Sequence, residues 1–292
     1  MSNLELTSGF RLAADSTTDR KKDLEAESTQ SRRRLAAWRS FGRLASRSGL
    51  LLALLALWEL APRLGVTDPA FLPPLSDVLQ AGWDLALNGQ LYEHFEASLL
   101  RAFGGFAIAV ILFVPLGIAV GWYAGLANAL SQIIEVLRNT APLALLPVFI
   151  LLLGIGEVSK VTMVVYSCAW PLLLNTIAAV KQVDPLLVKS ARTMGATPLQ
   201  LFAKVILPAS LPTIFVGIRL ASAAAMLVLI ASEMVGAKAG LGYLIIYGQY
   251  SFLIPQMYFG VLAITTIGLL SNYGLESLER RFTRWRAPAA GA

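Results

Sequence analysis

An all-α polytopic membrane protein is the fold class this sequence predicts, on three observations. Six apolar segments recur along the 292 residues, most of them near or above the roughly 18 residues that cross a bilayer as a helix. Charged residues make up 14% of the chain, against about 25% in an ordinary soluble domain. The charges that remain sit in blocks between the apolar segments instead of being spread along the chain.

The six spans are expected at about 48–66, 98–122, 139–156, 161–180, 207–232 and 255–275, within a transmembrane domain of residues 48–286, and none holds more than two charges. In the first, Glu59 and Arg63 stand four residues apart with the acid first, a spacing that lets them pair on one helix face near an interface. Residues 1–47 are polar, with ten Lys/Arg and six Asp/Glu, so the first apolar run comes too late for a secretory signal. A disordered basic tail is expected there, and a short tail at 287–292. The sequence pI near 9.6 comes from arginines beside apolar spans, with no nucleic-acid motif.

The cations orient the chain. Of 24 Lys/Arg, 18 lie in the N-terminal tail, in 181–204 and in 280–286, which share one side in a six-span threading. The positive-inside rule makes that side cytoplasmic, with both termini on it. Arg63, Lys160 and Lys238 fall on the opposite side, whereas Arg101, Arg138 and Arg219 lie within or at the ends of spans. Between the first two spans, Pro73-Pro74 and a following aspartate predict a short amphipathic helix over Leu75–Leu87. The last outer connection, 236–254, reads as a loop whose Tyr243, Tyr247 and Tyr250 suit an interfacial belt. Gly117, Gly121 and Gly125 form a small-residue stripe suited to close helix packing. Pro115, Pro147 and Pro171 are placed to kink their spans.

Residues 184–206, between spans four and five, do not look like membrane. Asp184-Pro185 is an N-cap followed by proline at the first helical position, and Thr197-Pro198-Leu199-Gln200 repeats the device as a capping box. Gly195 between them is a natural helix stop. Two short helices are expected, the first with Leu187, Ala191 and Met194 on one face and Lys189 and Arg192 on another. Such an element either lies on cytoplasmic headgroups or docks as an apolar knob into a groove of another protein.

The identities Lys189-Ser190-Ala191, Gly195, Val205 and Leu207-Pro208 resemble the EAA loop of ABC-importer permeases: Glu-Ala-Ala, Gly four residues after the second Ala, and a terminal Ile-x-Leu-Pro. The spacing matches throughout. Lys189 replaces the family's Glu and reverses a charge; Ser190 and Val205 are mild departures. Leu137-Arg138-Asn139, Leu143 to Pro147, Phe149 to Glu157, and Ile230 to Glu233 with Gly240 to Leu244 resemble permeases for aliphatic sulfonates, taurine, nitrate and bicarbonate. Phe71 to Pro74 and Asn88 to His94 resemble the sulfonate type most, and the likeness runs from about Leu50 to Arg286.

This resemblance implies a type I importer permease fold in a bacterial inner membrane. It also implies two partner ATPase subunits that carry ATP and Mg, a second permease copy as a homodimer, and an external binding protein. Leu187, Lys189, Ser190, Ala191, Arg192, Met194, Gly195, Val205, Leu207 and Pro208 become the ATPase-coupling residues. No Gly-x4-Gly-Lys-Ser/Thr phosphate loop is present, so ATP is expected on the partner and no cofactor on this chain. No catalytic or metal constellation is readable, which speaks against an intramembrane enzyme; Cys168 is expected as buried packing and His94 as a satisfied loop histidine. Arg138, Asn175, Arg219 and Glu233 are the candidate pathway residues, Arg219 because a guanidinium suits an oxyanion, although an arginine that fixes helix packing or pairs with an acid on a neighbouring span is the reading ranked slightly ahead. A secondary carrier would want intramembrane carboxylates, and Glu59, Glu135 and Glu233 all lie towards span ends.

Overall fold

The computed structural model describes residues 49–283. The expected tails, 1–47 and 287–292, lie outside the described residues. The chain divides after Pro69 into two compact units. The first contains α1, residues 49–63, in which the Glu59–Arg63 pair forms at 2.6 Å. Gly65, at φ 73°, turns the chain out of that helix.

The second unit is helical throughout its regular structure. It comprises α2 (Leu75–Leu87), α3 (Gln90–Trp122), α4 (Ala124–Arg138), a 3-10 turn (Pro142–Leu145), α5 (Leu146–Leu153), α6 (Glu157–Lys181), α7 (Pro185–Thr193), α8 (Pro198–Leu201), a π turn (Phe202–Ile206), α9 (Leu207–Glu233), α10 (Leu241–Tyr250) and α11 (Ile254–Phe282). Among the described residues four helical runs are long and apolar enough to cross a membrane: α3, α6, the run from Pro198 to Glu233, and α11.

The helix read at Leu75–Leu87 has those bounds and buries Val78, Gly82 and Leu85 on one face. Three other segments depart from the sequence reading. The stretch 139–156, expected as one span, holds only the 3-10 turn and α5, and this run, Pro142–Leu153, meets the preceding α4 at 83°. Ala141 precedes Pro142 and is extended at ψ 124°, because a residue before proline is pushed out of the helical region. Asn139 and Thr140 turn their side chains back onto the carbonyls of Glu135 and Val136, which closes α4. Pro147 therefore opens α5 instead of kinking a span, whereas Pro115 and Pro171 lie inside continuous helices. The connection read as a loop at 236–254 contains α10. Finally, α8 runs into α9 through the π turn; Pro208 offers no N–H to the carbonyl of Lys204, and a wider helical register accommodates that loss.

Helices α3, α6 and α9 form the core, sharing a buried cluster of Ala102, Ala109, Val164, Cys168, Leu172, Ala221, Ala225 and Leu229. Small residues allow the close approach. A Cβ on Gly117 would stand 2.7 Å from Thr176, and one on Gly121 2.8 Å from Val180, while one on Gly125 would meet nothing within 4 Å. The stripe therefore packs through its first two members only. Gly117→Leu is expected to destabilise the bundle by about 1–3 kcal/mol through overpacking, and Gly125→Ala to be neutral; thermal unfolding in detergent reads both.

Candidate functional sites: a docking loop and a buried ionic cluster

The loop after α6 is set by its caps. Asp184 Oδ1 accepts from the Leu186 amide at 2.8 Å, with Pro185 at the first helical position. At the other end of α7 the amide of Ala196 donates to Ala191 O at 3.1 Å and that of Gly195 to Arg192 O at 3.0 Å. These two bonds are a Schellman stop, which needs a left-handed residue; Gly195 supplies it at φ 78°. Thr197 and Gln200 then exchange side-chain and backbone hydrogen bonds at 3.1 and 3.4 Å, a complete capping box.

The support beneath is apolar. Val180, Leu201 and Ile206 are buried, and Ile118, Trp122, Val183, Val188, Ala191, Phe202 and Val205 pack on them, with Trp122 and Phe202 edge to face at 5.5 Å. The expected face is thus split. Ala191 turns inward with Val188, whereas Leu187 is 50% and Met194 86% exposed. The buried stripe is rotated towards Val188, and Met194 has left the helix as its C-cap. Leu186 and Leu199 join the exposed apolar set, beside the exposed Lys189, Ser190 and Arg192. The second shared-face expectation, cations displayed beside an apolar knob, is what the surface presents. Val205 is half-buried in the π turn, and Leu207 and Pro208 open α9.

At the opposite ends of α6 and α9, about 35 Å away at 1.5 Å per residue, lies a buried ionic cluster. Glu233, the last residue of α9, is fully buried and faces three donors: Arg101 Nη1 at 2.7 Å, the Gly242 amide at 2.9 Å, and Ser98 Oγ, which stands 2.8 Å from each carboxylate oxygen. The Ser98 hydroxyl can give its proton to one of those oxygens at a time, and its own oxygen accepts from the Leu241 amide at 2.8 Å. Arg101, its side chain 6% exposed, also donates from Nη1 to Ala239 O at 2.7 Å and grips Glu157 through Nε and Nη2. His94 accepts from the Gly240 amide at 3.2 Å, so it is satisfied as expected, though on α3 and not in a loop. Lys160, also buried, donates to Gly156 O at 3.1 Å and lies within electrostatic reach of Glu157 and Glu233. Two cations and two carboxylates balance, which is how buried charge is tolerated. Gly240 and Gly242 are required here because a Cβ on either would come within 2.7 Å of Glu233.

Of the four candidate pathway residues, each has a protein partner. Arg138 pairs with Glu135 at 2.7 Å on the exposed face of α4. Asn175 Nδ2 donates to Pro171 O at 2.8 Å, where Gly217 of α9 crosses closely. Arg219 pairs with Glu279 of α11. Glu233 is the anchor of the cluster. Reading the sequence missed the roles of Arg101, Ser98 and Glu157. A signal was present: Arg101 sits in an apolar run with no acid three or four residues away in either direction, so its partner had to be remote.

Residues 113–286 match the family model described as binding-protein-dependent transport system inner membrane component. The chain belongs to this family. The permease is 32% identical over 264 residues to the taurine transport system permease protein of Escherichia coli K12, covering 89% of this chain and 96% of that one. It is 32% identical over 240 residues to a putative aliphatic sulfonates transport permease protein of Bacillus subtilis, covering 82% and 87%, and 31% identical over 245 residues to the bicarbonate transport system permease protein of Synechocystis, covering 79% and 85%. In fold the permease resembles a chain of the inward-facing MetNI methionine ABC transporter, with TM-score 0.57 and 20% identity over 68% of this chain and 98% of that one.

Proposed function

We propose that this ABC-importer permease passes a small organic oxyanion, an aliphatic sulfonate foremost, inward across a bacterial inner membrane. The observation that carries the reading is the capped, rigid loop of α7 and α8, which displays Leu187 and Met194 beside Lys189 and Arg192 at the position of the family's coupling motif. Two ATPase subunits holding ATP and Mg would dock there, a second copy of this chain would complete the passage, and an external binding protein would deliver the solute. The relatives' names support the substrate class: taurine, aliphatic sulfonates and bicarbonate are all small anions or carry an anionic oxyacid group.

In this reading the loop is cytoplasmic, the Arg101 cluster is external, and both termini lie inside. The six-span threading uses α1, the bent α4–α5 pair, and the four long runs. Arg219 and Glu233 would shape the passage by tying its helices together, whereas Arg138 and Asn175 bond within their own helices. The experiment is uptake of radiolabelled ethanesulfonate, taurine and bicarbonate by proteoliposomes holding the chain, its copurifying ATPase and its binding protein. ATP-dependent ethanesulfonate accumulation supports the assignment; accumulation of bicarbonate alone moves the substrate; uptake driven by an ion gradient without ATP overturns it. For Arg219→Gln we expect lower abundance with unchanged uptake per molecule, the loss of a partly exposed pair being worth about 1 kcal/mol.

A further inference from the structure

The two carboxylates on Arg101 differ in how easily they can leave it. Glu233 has no exposed side-chain surface, whereas the Glu157 side chain is 65% exposed. Letting go of Glu233 would strand buried charges on both sides. Letting go of Glu157 would return a carboxylate to water it already touches, and Arg101 would keep Glu233 and Ala239 O as partners. The Arg101–Glu157 pair is thus the weaker seam of the cluster.

That seam lies beside a lightly packed segment. Glu157 opens α6, and before it stand Gly154, at φ 81°, Ile155 and Gly156. The preceding α5 is eight residues long, has no buried residue, and meets α4 through the break at 139–141. Across the seam, Ile155 covers Gly236 of the α9–α10 connection so closely that a Cβ there would stand 2.6 Å from Ile155 Cγ2. Deeper in, Gly105 on Val164, one turn inward from Arg101, holds α3 against α6. Separation can therefore involve the 154–157 turn without parting the core.

Taking the chain as a permease that must open at this end, we propose that Arg101 is a positioning residue for transport. Glu233 is its fixed partner and Glu157 its releasable one, and together they latch the 154–157 turn onto the α9–α10 connection. Outward opening begins when Glu157 leaves. In the absence of binding protein the latch keeps the passage shut and the partner ATPase slow.

The test uses the full-length chain with its copurifying ATPase in nanodiscs, without binding protein. Glu157→Gln is expected to keep wild-type abundance and to raise ATP hydrolysis about fivefold, which is roughly 1 kcal/mol at 1.4 kcal/mol per tenfold. Spin labels at Val158→Cys and Lys238→Cys, both exposed positions, should report a longer and broader separation in that variant; the single native cysteine, Cys168, is buried. Glu135→Gln, which removes a carboxylate from an exposed pair elsewhere, should alter neither readout. An unaltered label separation in Glu157→Gln overturns the latch whatever hydrolysis does. If no ATPase accompanies the wild-type chain, the proposed ATPase docking fails, and the label separation alone decides whether Glu157 holds the seam.

Discussion

Glu233→Ala is expected to destabilise the permease by about 3–5 kcal/mol, the range for leaving one partner of a buried ion pair uncompensated. The truncation removes three hydrogen-bond acceptances at once, from Arg101, Ser98 and Gly242. It strands one N–H of Arg101 Nη1, the Ser98 hydroxyl and the Gly242 amide in the buried cluster, although Nη1 keeps Ala239 O. It also leaves Lys160 and Arg101 facing a single carboxylate. The consequence is global because the cluster joins α3, α6, α9 and α10. In detergent the melting temperature should fall sharply, and expression with it. Replacing both partners separates lost pairing from lost volume: Arg101→Met with Glu233→Leu should recover much of the loss, since an apolar pair removes the stranded charge along with its partner. Recovery is a non-additivity of several kcal/mol in a double-mutant cycle. A Glu233→Ala protein that melts at the wild-type temperature would refute this account of the cluster.

What could be read from the sequence was local. The caps at Asp184, Gly195 and Thr197 and the helix at Leu75–Leu87 follow from short-range rules, and the structure makes each of them as those rules specify. Hydropathy located the four long runs for the same reason, but it could not see their ends: α3 begins at Gln90, eight residues before the apolar window, because a helix can continue past the membrane on polar residues. It was blind to the bend as well. The segment 139–156 has no charge, so a hydropathy window passes over Pro142, although the restriction that proline places on Ala141 was available. Helix α10 was hidden by its glycines, which read as turn signals yet serve packing, Gly242 against Glu233 and Gly248 against Met257. The ionic cluster was beyond local rules altogether. Ser98 and Arg101 meet Glu233 across more than 130 residues, and one sequence holds no signal that pairs them, only the sign that Arg101 lacked a neighbour. The face of α7 failed more instructively. A helical wheel places Leu187, Ala191 and Met194 together, but a nine-residue helix ends before Met194, and Val188 wins the burial.

The second large effect is expected at that face. Leu187→Asp combined with Met194→Asp should abolish retention of the ATPase while leaving the permease folded. Both side chains are exposed in the isolated chain, so the folded protein loses no buried contact and its melting temperature should stay within the small range of surface substitutions. In the proposed complex each would enter an apolar groove, where a buried Leu or Met contributes about 1.5–3 kcal/mol. Two such losses, with the added cost of burying carboxylates, correspond to at least a hundredfold weaker docking at 1.4 kcal/mol per tenfold. Copurification of the ATPase and ATP-driven ethanesulfonate uptake should vanish together. Ala191→Asp makes the contrast, because Ala191 packs on the buried support of Val180, Leu201 and Ile206: it should lower stability first and docking only as a result. Lys189→Glu restores the acid of the family pattern at an exposed position and tests the reversed charge directly. If the cognate ATPase presents carboxylates to this loop, Lys189→Glu should weaken docking and make what remains less sensitive to salt, since screening acts on exposed pairs. A double aspartate variant that still retains its ATPase would show that the partner does not bind through Leu187 and Met194, and the loop would then be a helix resting on the membrane surface.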